Sequence, residues 1–135
     1  MVRTLCSLVH AAREKKSKTN GTKAGIPLSK IAGSNTSVFT GSLGQDYKDV
    51  AGRDPLQVSR MFVLGNDYAM MSNRVSHSFD LRGHSTSIAT ACSTSLMGLH
   101  LACQGLRMGD SDAAIVGGSG LCLSPSLFSD ISTTG

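Results

Sequence analysis

Residues 93–108 constrain the fold more than any other segment, because they have the length of a helix and are apolar on nearly all sides. One apolar stripe at helical spacing is formed by Leu96, Leu99, Cys103 and Leu106. Much of the remaining circumference is covered by Met97, Leu101 and Ala102. A helix that is apolar on nearly all sides is a buried helix. The sequence therefore predicts a buried helix over Ser93–Met108 that ends at Gly109.

Three further segments have the character of β-strands. Ala113–Gly118 is a continuous apolar run ended by glycines, which predicts a strand covered on both faces. Ser37–Gly41 is a short β-branched and aromatic run between small polar residues. Ser85–Ala89 is more polar, but it lies between a glycine turn and the long helix. We therefore expect strands on both sides of the buried helix in the sequence.

The segments between these strands predict one further helix and one loop. Asn66 could cap a helix over about Asp67–Phe79, with Ala69, Met70, Asn73 and Ser76 on one side. Gly44–Arg53 is polar and predicts a loop. The order strand, helix, strand, buried helix, strand is typical of an α/β fold.

Residues 1–23 differ from the rest of the chain in charge and turn content. The net charge is +4, yet residues 1–30 hold seven of the 13 basic side chains and a single acid, Glu14. Residues 31–135 hold six basic and eight acidic side chains, which gives −2. The basic excess indicates a solvated tail and not a nucleic-acid surface. We expect residues 1–23 to be a separate segment, either disordered or unrelated to the rest of the chain, in which Thr4–Glu14 could form a short helix, and residues 24–135 to be the folded part.

The cysteine pattern argues against a metal site and against disulfides. Cys6, Cys92, Cys103 and Cys122 show no CxxC pairing. His100 and Cys103 could share a helix face, but two ligands without a second pair do not make a zinc site, and we predict that no metal is bound. No apolar stretch reaches the roughly 18 residues of a bilayer span, so we predict no membrane association. A cytoplasmic location fits these features.

The segment Thr90–Ser95 is the one with a plausible reaction centre. A predicted strand leads into small residues, then Cys92, then the first turn of the buried helix. Unpaired N–H groups and the dipole of a helix start favour a thiolate, which is the nucleophilic form of cysteine. Backbone N–H groups at the turn could also hold an oxyanion. Free cysteines are, however, among the most frequently buried residues, so local sequence leaves Cys92 either a nucleophile or a core residue.

Several ordered motifs resolve this ambiguity: Ala24–Leu28, Ala32–Ser42, Met71–Ser76, Thr90–Leu96, Leu99–Gln104 and Ala114–Gly118. From about Ala24 to Phe128 the chain resembles the ketosynthase (β-ketoacyl synthase) domain of fungal-type iterative type I polyketide synthases. The resemblance implies a thiolase-like α/β fold with a mixed sheet, of which residues 24–135 would be part of the N-terminal half. We interpret the chain as a truncated piece of that half.

The resemblance also implies a reaction and its participants. In the family, the cysteine that matches Cys92 accepts an acyl chain as a thioester for decarboxylative condensation with a malonyl-type extender. The substrates are carried on the phosphopantetheine of an acyl carrier protein, the enzyme is a homodimer, and this segment would bind no cofactor. The family's two histidines match none of His10, His77, His84 and His100. We expect His100 to be a hydrogen-bonded structural residue of the buried helix.

Departures from the family pattern keep a second hypothesis open. Ala89 stands where the family usually has an aspartate, and His84 replaces a proline. The alternative is a truncated, catalytically inactive ketosynthase fragment that has no enzymatic role, because acid–base partners would be missing from these 135 residues. An α/β hydrolase is set aside, since Gly118-Ser119-Gly120 is not a Gly-x-Ser-x-Gly elbow.

Overall fold

The structure is a computed structural model of the chain. It describes residues 9–12, 28–44, 46–54, 56, 60–120, 123, 125, 129 and 132–133. The expectations about Cys6, Cys122 and most of residues 1–23 lie outside the described residues. The domain boundary at residue 23 therefore stays a prediction.

The described strands form one mixed sheet in the order β1-β4-β2-β3. Its strands are β1 (Val9–Ala12), β2 (Thr36–Leu43), β3 (Ser85–Ser87) and β4 (Ala113–Gly120). β2 runs parallel to both β3 and β4, whereas β1 is antiparallel to β4. The three predicted strands and the α/β class are confirmed. The glycines of β4 do not end it, because the strand continues to Gly120 in register with the end of β2.

The long helix α5 (Thr94–Met108) connects β3 to β4 and packs on one face of the sheet. Parallel strands such as β2 and β4 need a crossover of this kind. The buried residues of α5 are four apart in the sequence: Thr94, Gly98, Ala102 and Leu106. The core beneath the helix contains Phe39, Ile88, Ala114 and Val116.

The expectation that α5 is buried on all sides is wrong for the chain by itself. Leu96 and Met108 are 69% and 68% exposed, and His100 is also exposed rather than structural. The stripe that contacts the sheet is made mostly of small residues, because they allow the helix backbone to approach the strands. Leu96 and Met108 point away from this sheet, whereas Leu106 contacts the core.

The described residues before Thr90 form four helices: α1 (Leu28–Ile31), α2 (Asp46–Ala51), α3 (Phe62–Asn66) and α4 (Met70–Ser78). The prediction of a loop over Gly44–Arg53 is wrong, since α2 forms there. Asn66 ends α3 instead of capping the next helix, and the carboxylate of Asp67 accepts the Ala69 N–H at 2.8 Å just before α4. Most residues of α2 are exposed, so its sequence is polar and lacks the apolar periodicity that predicts a helix.

The amino-terminal segment also departs from expectation. A helix was predicted over Thr4–Glu14, but Val9–Ala12 is a strand that pairs with Ala113–Val116. The free edge of β4 supplies backbone partners for this segment, and such tertiary pairing overrides weak local preference. Among the described residues, no helix is both long and apolar enough to cross a bilayer.

Candidate active site

Cys92 lies in a short 3₁₀ turn, Ala91–Ser93, that leads directly into α5. The residue is exposed, so the alternative of an ordinary core cysteine does not hold in this structure. Its position before the first helical turn agrees with the order of elements inferred from the sequence. The N–H groups of a helix's first turn have no partner within the helix, and the positive end of the helix dipole lies there.

Side-chain hydroxyls fix the backbone of this turn. The Thr94 hydroxyl accepts the Thr90 N–H at 3.1 Å and donates to the Ala91 carbonyl at 2.7 Å. The Ser93 hydroxyl donates to the Thr90 carbonyl at 2.7 Å. Thr94 is only 5% exposed, so its two hydrogen bonds are largely shielded from water. The buried Thr94 hydroxyl therefore stabilises the backbone of the turn that carries Cys92.

Ala91 adopts a left-handed backbone conformation, with φ of +50°. For a residue with a Cβ this region costs about 1–3 kcal/mol and persists only where the surroundings enforce it. Hydrogen bonds hold both peptide groups that flank Ala91: the Thr90 carbonyl accepts the Ser93 hydroxyl, and the Ala91 carbonyl accepts the Thr94 hydroxyl. The strain is thus located one residue before the thiol.

Two glycines on neighbouring strands let α5 approach the sheet at this point. Gly41 and Gly118 are register partners in β2 and β4. A Cβ at Gly41 would overlap the Thr94 methyl group and the Ile88 carbonyl oxygen, and a Cβ at Gly118 would lie 3.0 Å from the Ser95 Cβ. The start of the helix therefore rests on a surface that has no side chains.

Cys92 opens into a cavity of about 220 Å³ at the carboxyl ends of β2 and β4. Its walls come from the ends of these strands, the 3₁₀ turn and the first turn of α5. Ser42 and Ser119 also line an adjoining cavity of about 320 Å³, whose other walls include Tyr68 and Met71. The cavity at Cys92 and the 320 Å³ cavity are therefore neighbours that share Ser42 and Ser119 as lining residues.

Tyr68 connects the wall of the larger cavity to the segment that precedes the turn. Its phenol oxygen accepts the Ser42 N–H at 3.1 Å and donates to the Ile88 carbonyl. One side chain therefore ties the end of β2 to the chain just before Thr90. Asp46, which is buried at the start of α2, accepts the Leu123 N–H at 2.9 Å on another side of this cavity.

The other candidate residues lie elsewhere. His77, His84 and His100 are exposed, and none of them lines the cavity at Cys92. Cys103 is half-buried in the middle of α5, away from this cavity. Within the described ranges, no group of three or more histidine, cysteine or acidic side chains could hold a metal ion.

Two residues that shape the site around Cys92 had no role assigned from the sequence. Thr94 lies within the Thr90–Leu96 motif, but the motif does not show what its hydroxyl does. Tyr68 lies outside the motifs, and its partners are in distant segments of the chain. Gly41 and Gly118 could have been found only from the strand register, which single-sequence patterns do not give. The detectable signal was a glycine near the end of each of two predicted strands.

The amino-acid sequence of this chain is similar to segments of fungal polyketide synthases. The compactin diketide synthase of Penicillium citrinum is 54% identical over 112 residues, which are 83% of this chain and 4% of that protein. A highly reducing polyketide synthase of Penicillium rubens is 51% identical over 112 residues, again 83% of this chain and 4% of the relative. The chain thus spans a small part of the curated relatives that it matches.

Solved structures agree with these relatives. The ketosynthase from module 6 of the bacillaene synthase of Bacillus subtilis 168 superposes with a TM-score of 0.71 at 29% identity, covering 83% of this chain and 18% of that one. An oxazolomycin ketosynthase domain of Streptomyces albus gives 0.71 at 32% identity, covering 83% of this chain and 20% of its own. The fold is therefore thiolase-like.

The family comparison covers most of the chain. Residues 18–135 match the family model described as beta-ketoacyl synthase, N-terminal domain. The match begins within the segment that the sequence set apart as 1–23 and includes Cys92 and the whole of β2, α5 and β4. This chain belongs to the β-ketoacyl synthase family, whose N-terminal domain it matches.

Proposed function

We propose that Cys92 is the acyl-accepting nucleophile of a β-ketoacyl synthase that works in polyketide or fatty-acid assembly. The observation that carries the proposal is an exposed thiol in a strained turn at the start of α5, open to a cavity. The family match over residues 18–135 supports the same role.

In the proposed reaction the thiolate attacks the carbonyl carbon of an acyl thioester carried on the phosphopantetheine of an acyl carrier protein. A new C–S bond forms, the carrier's C–S bond breaks, and the carrier leaves as a thiol after taking a proton. N–H groups at the turn would stabilise the negative charge on the oxygen during the attack. The acyl chain then stays on Cys92.

The second half of the proposed reaction consumes this acyl group. A malonyl-type extender loses carbon dioxide, and its carbanion attacks the acyl carbon, so that a C–C bond forms and the Cys92 thiolate is released. None of the histidines that the structure describes lines the cavity at Cys92. We therefore assign acyl acceptance, and not decarboxylation, to the described residues.

Acyl transfer to the chain is measured by intact-protein mass spectrometry after incubation with the N-acetylcysteamine thioester of hexanoate. We expect one acyl adduct, located at Cys92 by peptide mapping and removed by hydroxylamine. Cys92→Ala should lose it by at least about a hundredfold, as expected when a covalent nucleophile is removed.

Cys103→Ala is the matched control, because it removes the half-buried cysteine of α5 that lies outside the cavity. This variant should acylate at the parent rate. An adduct that persists in Cys92→Ala, or that never forms on a folded parent chain, would refute the acyl-accepting role and favour the inactive-fragment alternative.

A further inference from the structure

Thr94 stands out among the described residues because its buried hydroxyl serves the turn and not its own helix. It accepts the Thr90 N–H at 3.1 Å and donates to the Ala91 carbonyl at 2.7 Å. Both hydrogen-bonding functions of the hydroxyl are therefore used within the four residues that carry the thiol. The methyl group of the same side chain fills the space above Gly41.

These two hydrogen bonds act on either side of one strained residue. A left-handed conformation is unfavourable for alanine, so Ala91 needs an external constraint to hold φ at +50°. The Thr90 N–H precedes Ala91, and the bonded carbonyl is that of Ala91 itself. A single hydroxyl thus fixes the peptide group that follows the strained Cα and the one that precedes Thr90.

We propose that the Thr94 hydroxyl is a positioning group that holds Ala91 in the left-handed region and so directs the Cys92 thiol into the cavity. This inference rests on the proposed acyl-accepting role of Cys92. Orientation matters here because misplacing a reacting atom by about 1 Å can cost on the order of a hundredfold in rate. Thr94 does not itself touch the acyl group in this proposal.

Three variants separate the hydroxyl from the methyl group. Thr94→Val is nearly isosteric and removes both hydrogen bonds, and we expect its acylation rate constant to fall about tenfold or more at an unchanged half-saturating thioester concentration. Thr94→Ser keeps the hydroxyl and should stay within about threefold of the parent. Thr86→Val, an exposed threonine of β3, is the matched control and should not change the rate.

A double-variant comparison tests the mechanism, since glycine adopts positive φ without the alanine penalty. In an Ala91→Gly background, Thr94→Val should cost less than about threefold in rate, because no strained residue remains to be held. A purely structural role for Thr94 predicts the same tenfold loss in both backgrounds. Melting curves establish that each variant is folded, and Thr94→Ala replaces Thr94→Val if the latter unfolds.

Two readouts do not depend on acylation. NMR couplings that report the φ of Ala91 should shift towards right-handed values in Thr94→Val. Iodoacetamide alkylation at Cys92 should change by less than about threefold, because a small reagent does not require the same orientation. If the parent accepts no acyl group, the proposed function fails while the NMR comparison still decides the role of Thr94.

The inference is overturned by any of three results in folded proteins. These are unchanged acylation and unchanged Ala91 couplings in Thr94→Val, an equal loss in Thr94→Ser and Thr94→Val, or an equal loss with and without Ala91→Gly. The first excludes any positioning role, the second shows that the hydroxyl alone does not carry the effect, and the third assigns it to general packing.

Discussion

At the scale of single residues, Gly41 and Gly118 decide whether the thiol can be presented at all. The first turn of α5 lies so close to β2 that the Thr94 methyl group occupies the place of a side chain at Gly41. This close approach brings the turn over the ends of two parallel strands, where the cavity begins. The requirement at these positions is for space, and a single additional methyl group would violate it.

Gly41→Ala should therefore destabilise the chain by about 3 kcal/mol, at the upper end of overpacking costs, because a backbone carbonyl at Ile88 cannot move aside as a side-chain tip can. Urea unfolding followed by circular dichroism measures the change. Gly65→Ala is the matched control: its Cβ would meet nothing within 4 Å, and alanine in α3 should be neutral or stabilise by up to about 1 kcal/mol. Equal effects at the two sites would contradict the close approach.

At the scale of elements, hydroxyl groups link α4 to the sheet. Ser72 is completely buried, and its hydroxyl lies 3.1 Å from the Ser87 hydroxyl of β3. Ser87 also accepts the Ser72 N–H at 3.3 Å, which is one of the first-turn N–H groups that α4 cannot satisfy itself. The sheet thus supplies part of the N-terminal cap of the helix.

This interface predicts a non-additive pair of substitutions. Ser87→Ala should cost about 1–2 kcal/mol, because it leaves the buried Ser72 hydroxyl and N–H without this partner. Ser72→Ala in addition should cost little more, since a buried hydroxyl is no longer left unpaired. The free energies of unfolding of the two single variants and the double variant measure the coupling. Strict additivity would show that the two hydroxyls do not depend on each other.

Among the strands and helices, those with strong local sequence patterns could be predicted. The strands over Ser37–Gly41 and Ala113–Gly118 and the helix after Cys92 carry strong local patterns, and all three are present in the structure. The strand at Val9–Ala12 could not be predicted, because it depends on the free edge of β4. The helix at Asp46–Ala51 was also missed, because it presents few buried residues.

Only those residues of the candidate site that carry a local sequence pattern could be predicted. Cys92 is marked by its neighbours in the sequence, whereas Tyr68 is brought to the site by the fold. The prediction that α5 is buried on nearly all sides did not identify its contact face, since Gly98 and Ala102 approach the sheet while Leu96 is exposed. Close helix–sheet contact favours small residues, a preference that a hydrophobic stripe does not reveal.

At the scale of the whole molecule, α5 exposes large apolar side chains, on the side turned away from the sheet, that no other layer covers among the described residues. Leu96, Met97 and Met108 are 69%, 41% and 68% exposed. Large apolar surface of this kind marks an interaction site. In the thiolase-like fold, buried helices are packed between two sheets, and the described residues provide one sheet. The isolated chain should therefore associate with itself through this face.

Leu96→Lys tests that expectation, because it replaces the most exposed apolar side chain of the helix by a charge. Covering a leucine is worth about 2 kcal/mol, so the dissociation constant of the self-associated form should rise by at least about tenfold in sedimentation velocity runs over a concentration series. Gln104→Lys adds the same charge to an exposed position of α5 without removing apolar surface, and it should leave association nearly unchanged. Equal weakening by both variants would assign the effect to charge. A parent chain that stays monomeric at every concentration would show that α5 is stable with its outer face in water.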